Sequence, residues 1–293
     1  MRHGGKVLAD QLQNMGVDTV FTVPGESFLA VLDGLYDSNR IRTIICRQEG
    51  GAAMMAEAYA KMTGRPGVCM VTRGPGAANA MSGLHVAQQD STPMLTLVGL
   101  HAAEHEDREA FQEIETKRLF SSFVKWAAVI RDANRIPEYM SRAFSVAQSG
   151  RPGPVVLGLP EDMISGPAGN AVDAKEPRFA EAAPEQGDMA LLAQALRRAE
   201  RPLMIVGGPG WSEEVRRGVE AFAGRWSLPI AAALRYQDYI DNRNPCYVGH
   251  VGIGIAPRLA EAVKAADVLI VVGARLGEMT TQGYTLLAIP NPK

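Results

Sequence analysis

The sequence predicts an α/β protein made of two doubly wound, mainly parallel-sheet domains. Short runs that are apolar at nearly every position, such as "GVCMVT", "PMLTLVG" and "DVLIVVGA", alternate with longer segments of helical character. Continuous apolar runs suit strands buried on both faces, and regular strand–helix alternation builds parallel sheets. The alternation breaks once, from Ser165 to about Gly187, where proline, alanine, glycine and charge replace periodicity, as in an interdomain linker. The 293 residues suffice for about two domains at roughly 150 residues each. The expected division is 1–165 for the first domain, 166–187 for the linker and 188–293 for the second domain.

In the first domain Gly5 to Met15 reads as a helix, "DTVFTVPG" as extended, Phe28 to Tyr36 as a helix and "IRTIICRQ" as extended. An alanine-rich helix follows, then the strand "GVCMVT", a glycine turn, the helix "AANAMSGLHVAQQ" and the strand "PMLTLVG". Beyond Leu119 to Trp126, the helix "IPEYMSRAFSVAQS" leads to "RPGPVVLGLP", a strand introduced by prolines and glycines that closes the domain near Met163. The second domain restarts with a helix from Met189 to Ala199, the strand "PLMIVGG", a helix from Ser212 to Trp226 and the strand "LPIAAA". After a loop come the helix "APRLAEAVKAA" and the buried strand "DVLIVVGA". A doubly wound sheet is expected to continue past "LLAIPNPK", so the second domain reads as incomplete.

Composition narrows the function. The chain is 46% hydrophobic and 21% charged with a formal net charge of -2, and no basic block is present to attract nucleic acid. No apolar run approaches the roughly 18 residues of a membrane helix, and no basic-then-apolar leader opens the chain; a cytoplasmic location is the expectation. Cys46, Cys69 and Cys246 lie far apart with no C-x-x-C pair and read as reduced core thiols. A Walker A loop is missing around Gly5-Lys6, and the Gly208-Pro209-Gly210 and Gly252-Ile253-Gly254 turns lack the third glycine of a dinucleotide fingerprint. His101, Glu104 and His105 match the inverted zinc-peptidase spacing, but they follow a strand and run into "EHEDRE", as a solvated loop would.

Three strand-to-helix loops carry the chemistry: "TVPGES" at Thr22 to Ser27, "RQEGG" at Arg47 to Gly51 and "TRGPGAAN" at Thr72 to Asn79. Open α/β sheets bind ligands at the carboxyl ends of their strands, where such loops converge. Only one of them puts a carboxylate, Glu49, directly at the strand end. An acid there can simply answer the helix dipole, for about 0.3 to 1 kcal/mol. Gly50 and Gly51 are poor helix formers that a cap does not need, so space for a ligand is the expected reason for them.

Taken together, "GVDTVFTVPGES", "RQEGGAAMMAEAYAKMTG", "GVCMVTRGPGAANAMSGLHVAQQDSTPML", "EAFQEIE" and "SGRPGPVVLGLPED" resemble thiamine-diphosphate-dependent enzymes of the acetolactate synthase and benzoylformate decarboxylase family. "RPLMIVGG" and "ADVLIVVGARLGE" resemble the central domain of the same enzymes. The resemblance implies a pyrimidine-binding first domain and an incomplete Rossmann-like central domain. It gives Glu49 the role of hydrogen-bonding N1' of the cofactor's aminopyrimidine, so that the neighbouring imino nitrogen can take the thiazolium proton. Pro24, Gly25, Pro75 and Asn79 match residues around the pyrimidine. Phe111 and Gln112 match a pair near the thiazolium and substrate, and Lys125 matches a lysine near the substrate entrance.

Gln48 stands where these synthases usually carry histidine, and "PGES" replaces their "PGG", so the resemblance leaves the exact substrate open. Magnesium and the diphosphate belong, by resemblance, to a third domain with a G-D-G…N motif that the 293 residues do not contain. FAD, which acetolactate synthases hold in the central domain, would lie near Gly207 to Gly210 and Gly273 to Arg275. The implied parent is a homodimeric or homotetrameric carboligase or decarboxylase of 2-keto acids such as pyruvate, with this chain inactive alone. Two other readings stand beside it: a regulatory or assembly module derived from the family, and a flavin- or nucleotide-binding α/β protein.

Overall fold

The computed structural model describes residues 2–178 and 182–287. They form two compact units, Met1–Glu181 and Ala182–Lys293, each with its own parallel sheet. The α/β class predicted above is the class observed.

In the first unit the chain runs α1 (Gly4–Asn14), β1 (Thr19–Thr22), α2 (Leu29–Tyr36), β2 (Arg42–Ile45), α3 (Glu49–Thr63), β3 (Gly67–Val71), α4 (Gly74–Asp90) and β4 (Met94–Leu100). It continues with α5 (Thr116–Phe120), β5 (Trp126–Val129), α6 (Ile136–Gln148), β6 (Pro154–Pro160) and α7 (Glu161–Ser165). Among the described residues the sheet has six strands, all parallel, in the order β2-β1-β3-β4-β6-β5. Alternate strand residues feed opposite cores. Val68, Met70, Leu95, Leu97, Val155 and Leu157 pack with α1, α2 and α6 on one face. Cys69, Val71, Met94, Val98 and Val156 pack with α3, α4 and Phe120 of α5 on the other. Every residue of β3, β4 and β6 is buried, which explains why their sequences show no polar alternation. A fully buried side chain such as Phe28 or Leu97 contributes roughly 1.5 to 3 kcal/mol by leaving water.

The strand order creates a switch point. The connection after β1 turns to the α2 face while the connection after β3 turns to the α4 face, leaving the crevice between their carboxyl ends where such sheets bind ligands. Helix α3 returns beside α4 along a seam of small residues. A Cβ at Gly83 would lie 2.5 Å from Ala53 Cβ and 2.8 Å from the Ala53 carbonyl carbon, so only glycine permits this approach. At the far end of the seam Lys61 Nζ is 2.8 Å from Glu57 Oε1 and 2.6 Å from Asp90 Oδ2, and Thr92 Oγ1 donates to Glu57 at 2.8 Å. Gly64, with φ of 70°, ends α3.

The second unit contains α8 (Gln186–Arg198), β7 (Pro202–Val206), α9 (Glu213–Trp226), β8 (Ile230–Ala232), β9 (Tyr247–His250), α10 (Pro257–Ala265) and β10 (Val268–Val272). Its strands are parallel in the order β10-β7-β8-β9. The strand β9 was not expected from sequence: "YVGH" is short and carries a glycine, and the pairing shifts register between Ile230 and Ala231. At the carboxyl edge the turns after β7 and β10 interlock. A Cβ at Gly208 would fall 2.0 Å from the Gly273 carbonyl oxygen, and one at Gly273 would fall 2.4 Å from that of Gly207. Both residues also have positive φ, 74° and 68°.

Gly83→Ala is expected to destabilise the first unit by about 1 to 3 kcal/mol, the usual range for overpacking. A urea titration with an unchanged slope and a lowered midpoint checks it; an unchanged midpoint contradicts the seam.

Candidate active site

The three loops singled out from sequence meet at one edge. After β1, Gly25 lies against the loop after β3: a Cβ there would be 2.7 Å from Thr72 Cβ, and Ser27 Oγ is 2.9 Å from Thr72 Oγ1. Pro24 immediately precedes it, in the extended link between β1 and the 3-10 turn Glu26–Phe28. After β2, Cys46 N–H donates to Thr22 O at 2.7 Å, extending the register by one residue. Gln48 is the helix cap: its Oε1 accepts from Gly51 N at 2.7 Å. That makes Glu49 the first residue of α3, half-buried, with its carboxylate at the positive end of the helix.

Helix α4 completes the arrangement. Arg73 precedes it and Pro75 occupies its first turn, where a missing N–H costs nothing. One turn further, Asn79 Nδ2 donates to Glu49 Oε2 at 2.9 Å. Among the described residues Glu49 Oε1 accepts no hydrogen bond. A Cβ on Gly76 would stand 3.3 Å from that oxygen and 2.9 Å from Thr72 Cγ2. The carboxylate is thus pinned through one oxygen and open through the other, beneath a position kept clear by the lack of a side chain.

Gly50 has a different role from the one expected. A Cβ there would meet Gln48 Oε1 at 2.9 Å and the Asn79 carbonyl oxygen at 3.1 Å; the residue is small so that α4 and the capping side chain can approach. The clearance over the acid belongs to Gly76, which lies in the "TRGPGAAN" loop that the sequence placed at the ligand edge.

Residues 2–119 match the family model described as "Thiamine pyrophosphate enzyme, N-terminal TPP binding domain". Residues 189–293 match "Thiamine pyrophosphate enzyme, central domain". The chain belongs to the thiamine pyrophosphate enzymes. Among curated relatives, the acetolactate synthase isozyme 2 large subunit of Escherichia coli K12 is 34% identical over 284 residues, covering 95% of this chain and 50% of that protein. The acetolactate synthase large subunit of Parasynechococcus marenigrum is 33% identical over 292 residues, covering 95% and 46%. The isozyme 1 large subunit of E. coli K12 is 32% identical over 296 residues, covering 99% and 51%. The chain therefore spans about half the length of the curated relatives it matches.

Of the other residues that family resemblance singled out, Phe111 and Gln112 reach the same edge. Gly74 N–H donates to Gln112 O at 3.0 Å, and Arg73 Nη1 lies 3.4 Å from Phe111 O. Phe111 is 74% exposed, so the apolar ring is presented outward and does not belong to the core. Lys125 does not join them. It precedes β5 at the amino edge, where Nζ donates to the carbonyls of Val146 and, at 2.8 Å, Ser149. It neutralises the negative end of α6, and burial pushes its ammonium below the usual lysine range. His101 is buried at the end of β4, whereas Glu104 and His105 are exposed in the turn Ala103–His105. No group of three metal-ligating side chains is found among the described residues.

One residue that sequence reading passed over holds the Phe111–Gln112 loop. Glu113 accepts from Asp107 N and Ala110 N, both at 2.8 Å, and its carboxylate is 3.6 Å from His101 Nε2. Asp107, Glu109 and Gln112 all have positive φ, 62°, 56° and 59°, which non-glycine residues adopt only when the surroundings impose it. The Asp107 and Ala110 amides, with His101 nearby, hold the Glu113 carboxyl below its ordinary range.

Because that value is lowered in the folded loop, the clamp is complete above the ordinary carboxyl range and is lost as pH falls through the lowered value. Hydrogen exchange at the Asp107 and Ala110 amides is expected to be protected at neutral pH and released in acid. Glu113→Gln should release it already at neutral pH; equal protection in both proteins would contradict the clamp.

Proposed function

We propose that this chain supplies the pyrimidine-binding half of a thiamine-diphosphate-dependent carboligase or decarboxylase acting on 2-keto acids of the pyruvate type. The observation that carries this reading is the Glu49 carboxylate, held through Oε2 by Asn79 and free at Oε1 below Gly76. That geometry fits an aminopyrimidine: a flat, nitrogen-rich ring needs clearance above the acid and one carboxylate oxygen ready to share a proton. Glu49 would hold the ring at N1', with Pro24, Gly25, Pro75 and Gly76 as its close surroundings. When bound, the cofactor supplies the electron sink for breaking and forming bonds beside a keto carbonyl.

The protein's share is position and proton handling. Asn79 keeps the carboxylate in one rotamer, and Gln48 fixes the start of the helix that carries it. Asn79 occupies Oε2, which leaves Oε1 available as an acceptor. Gln112, held by Gly74, and the exposed Phe111 face the same edge and are proposed to contact substrate. For Lys125 we propose support of α6, with no contact to substrate.

Magnesium is placed with the diphosphate outside residues 1–293, since no G-D-G…N motif occurs in them. For a flavin the proposed location is the carboxyl edge of the second sheet, at Gly207 to Gly210 and Gly273 to Arg275. A flavin spectrum of the purified protein tests that. The relatives' names support a pyruvate-type substrate, and we propose an assembly of at least two copies. We place it in the cytoplasm; among the described residues no helix is long and apolar enough to cross a membrane.

In the full-length gene product, Glu49→Gln is expected to lower pyruvate consumption by about 10² to 10⁴-fold, the contribution of a positioned acid or base, with little change in melting temperature. Asn79→Ala should cost about tenfold, since it loosens the acid without removing it. Retention of more than a tenth of the activity by Glu49→Gln would overturn the reading. The 293-residue chain alone, given cofactor and magnesium, is expected to consume no pyruvate.

A further inference from the structure

The loop that carries Phe111 and Gln112 is shaped from within and placed from without. The Glu113 clamp joins the Asp107 and Ala110 amides of the same loop, so it sets the loop's shape and not its position. At the start of the loop Ala103 N–H donates to Asp162 Oδ1 at 3.0 Å. Glu106 pairs with Arg131 at 2.7 Å, but both side chains are about half exposed, where an ion pair contributes little. Among the described residues, Phe111 and Gln112 are themselves tied to the rest of the unit by two neighbours in sequence. Arg73 Nη1 donates to Phe111 O at 3.4 Å and Gly74 N–H donates to Gln112 O at 3.0 Å.

Arg73 has a second tie. Its Nη2 donates at 2.5 Å to Oε2 of Glu161, the first residue of α7 just past β6. The guanidinium therefore joins three segments of the carboxyl edge: the entry to α4, which leads on to Pro75, Gly76 and Asn79; the end of β6; and the loop. The Arg73 side chain is only 14% exposed, and its Nε is buried with no hydrogen-bond partner among the described residues. A buried ion pair adds little net stability, and an unanswered N–H subtracts from it. Stability alone does not account for an arginine here.

Placement does. The Phe111 and Gln112 carbonyls belong to the two peptide groups that flank the Gln112 Cα, and each peptide group is a rigid plane. Holding both planes fixes φ and ψ of Gln112, and with them the direction in which its side chain leaves the backbone. Its φ is 59°, a region that a non-glycine residue adopts when its surroundings impose it. We propose that Arg73 is the positioning residue of this loop: its fork, anchored on Glu161, fixes the peptide before Gln112 while Gly74 fixes the peptide after it, and together they aim the Gln112 side chain. The assignment rests on the reading that Phe111 and Gln112 contact substrate.

Hydrogen exchange on the 293-residue chain tests the brace without reference to activity. Arg73→Met and Glu161→Ala should each speed exchange of the Gly74 amide about tenfold, the equivalent of one hydrogen bond. The double variant should go no further, because the two side chains act as one joint. Arg73→Lys keeps the charge but loses the fork and should behave as Arg73→Met. The Ala77 amide, which donates to Arg73 O inside α4, should exchange as before; with the melting curve it shows that the helix is intact. In the full-length gene product these variants should raise KM for pyruvate about tenfold, again one hydrogen bond's worth, with affinity for thiamine diphosphate unchanged. Unchanged exchange at Gly74, an equal loss of protection at Ala77, or an equal loss of substrate and cofactor affinity overturns the proposal. A wild-type protein that consumes no pyruvate would sink the proposed function instead, and exchange at Gly74 would still decide the brace.

Discussion

The candidate site depends on the distance between two helices. Helices α3 and α4 touch through Ala53 and Gly83, where a single added methyl would collide with backbone. Glu49 is one turn before Ala53, and Asn79 is one turn before Gly83. A helix is stiff over one turn, so the contact between the small residues sets the separation of the acid and the amide. The 2.9 Å hydrogen bond from Asn79 to Glu49 follows from that packing. At the other end, Lys61 ties Glu57 to Asp90. Burial opposes the Lys61 charge, but its bonds to the two carboxylates hold the ammonium above its usual range. The seam is thus fastened at both ends by polar groups and held apart by none between.

The same first unit is polarised from edge to edge. Every helix between two parallel strands points its amino end toward the carboxyl edge of the sheet. There the anion Glu49 sits, at the positive end of α3. At the opposite edge Lys125 answers the carbonyls ending α6, and Arg151 reaches Gln88 O and Gln89 O at the end of α4. At these three helix ends the charge answers the helix direction. Lys125, which family resemblance directed to the substrate, lies just before β5 and donates to the carbonyls at the end of α6.

Buried parallel strands are the easiest elements to read from a sequence, because both faces demand apolar residues and the runs become unmistakable. The strands "GVCMV" and "MLTLVGL" were legible for that reason, whereas β2, an edge strand with Arg42 and Ile45 exposed, was legible from its apolar run and the glycines after Glu49. Glu113 was not: a carboxylate serving two amides of its own loop has no periodic signature, and "EHEDREAFQEIE" looks like solvated charge until the loop closes. Gly50 and Gly76 are equivalent letters near the same acid, and only tertiary contact distinguishes a glycine making room for a helix from one making room above an oxygen. The short β9 failed for a local reason, since its pairing depends on β8 and a register shift.

The interlocked turns after β7 and β10 carry a consequence for inheritance. The atoms that would obstruct a side chain at Gly208 or Gly273 are carbonyl oxygens of the opposing turn. No change of side chain on the partner can relieve such a clash, so neither position admits a compensating mutation. Across descendants the two should stay constant together while never varying together. Contact inference from correlated substitutions would be blind to one of the closest approaches in the second unit.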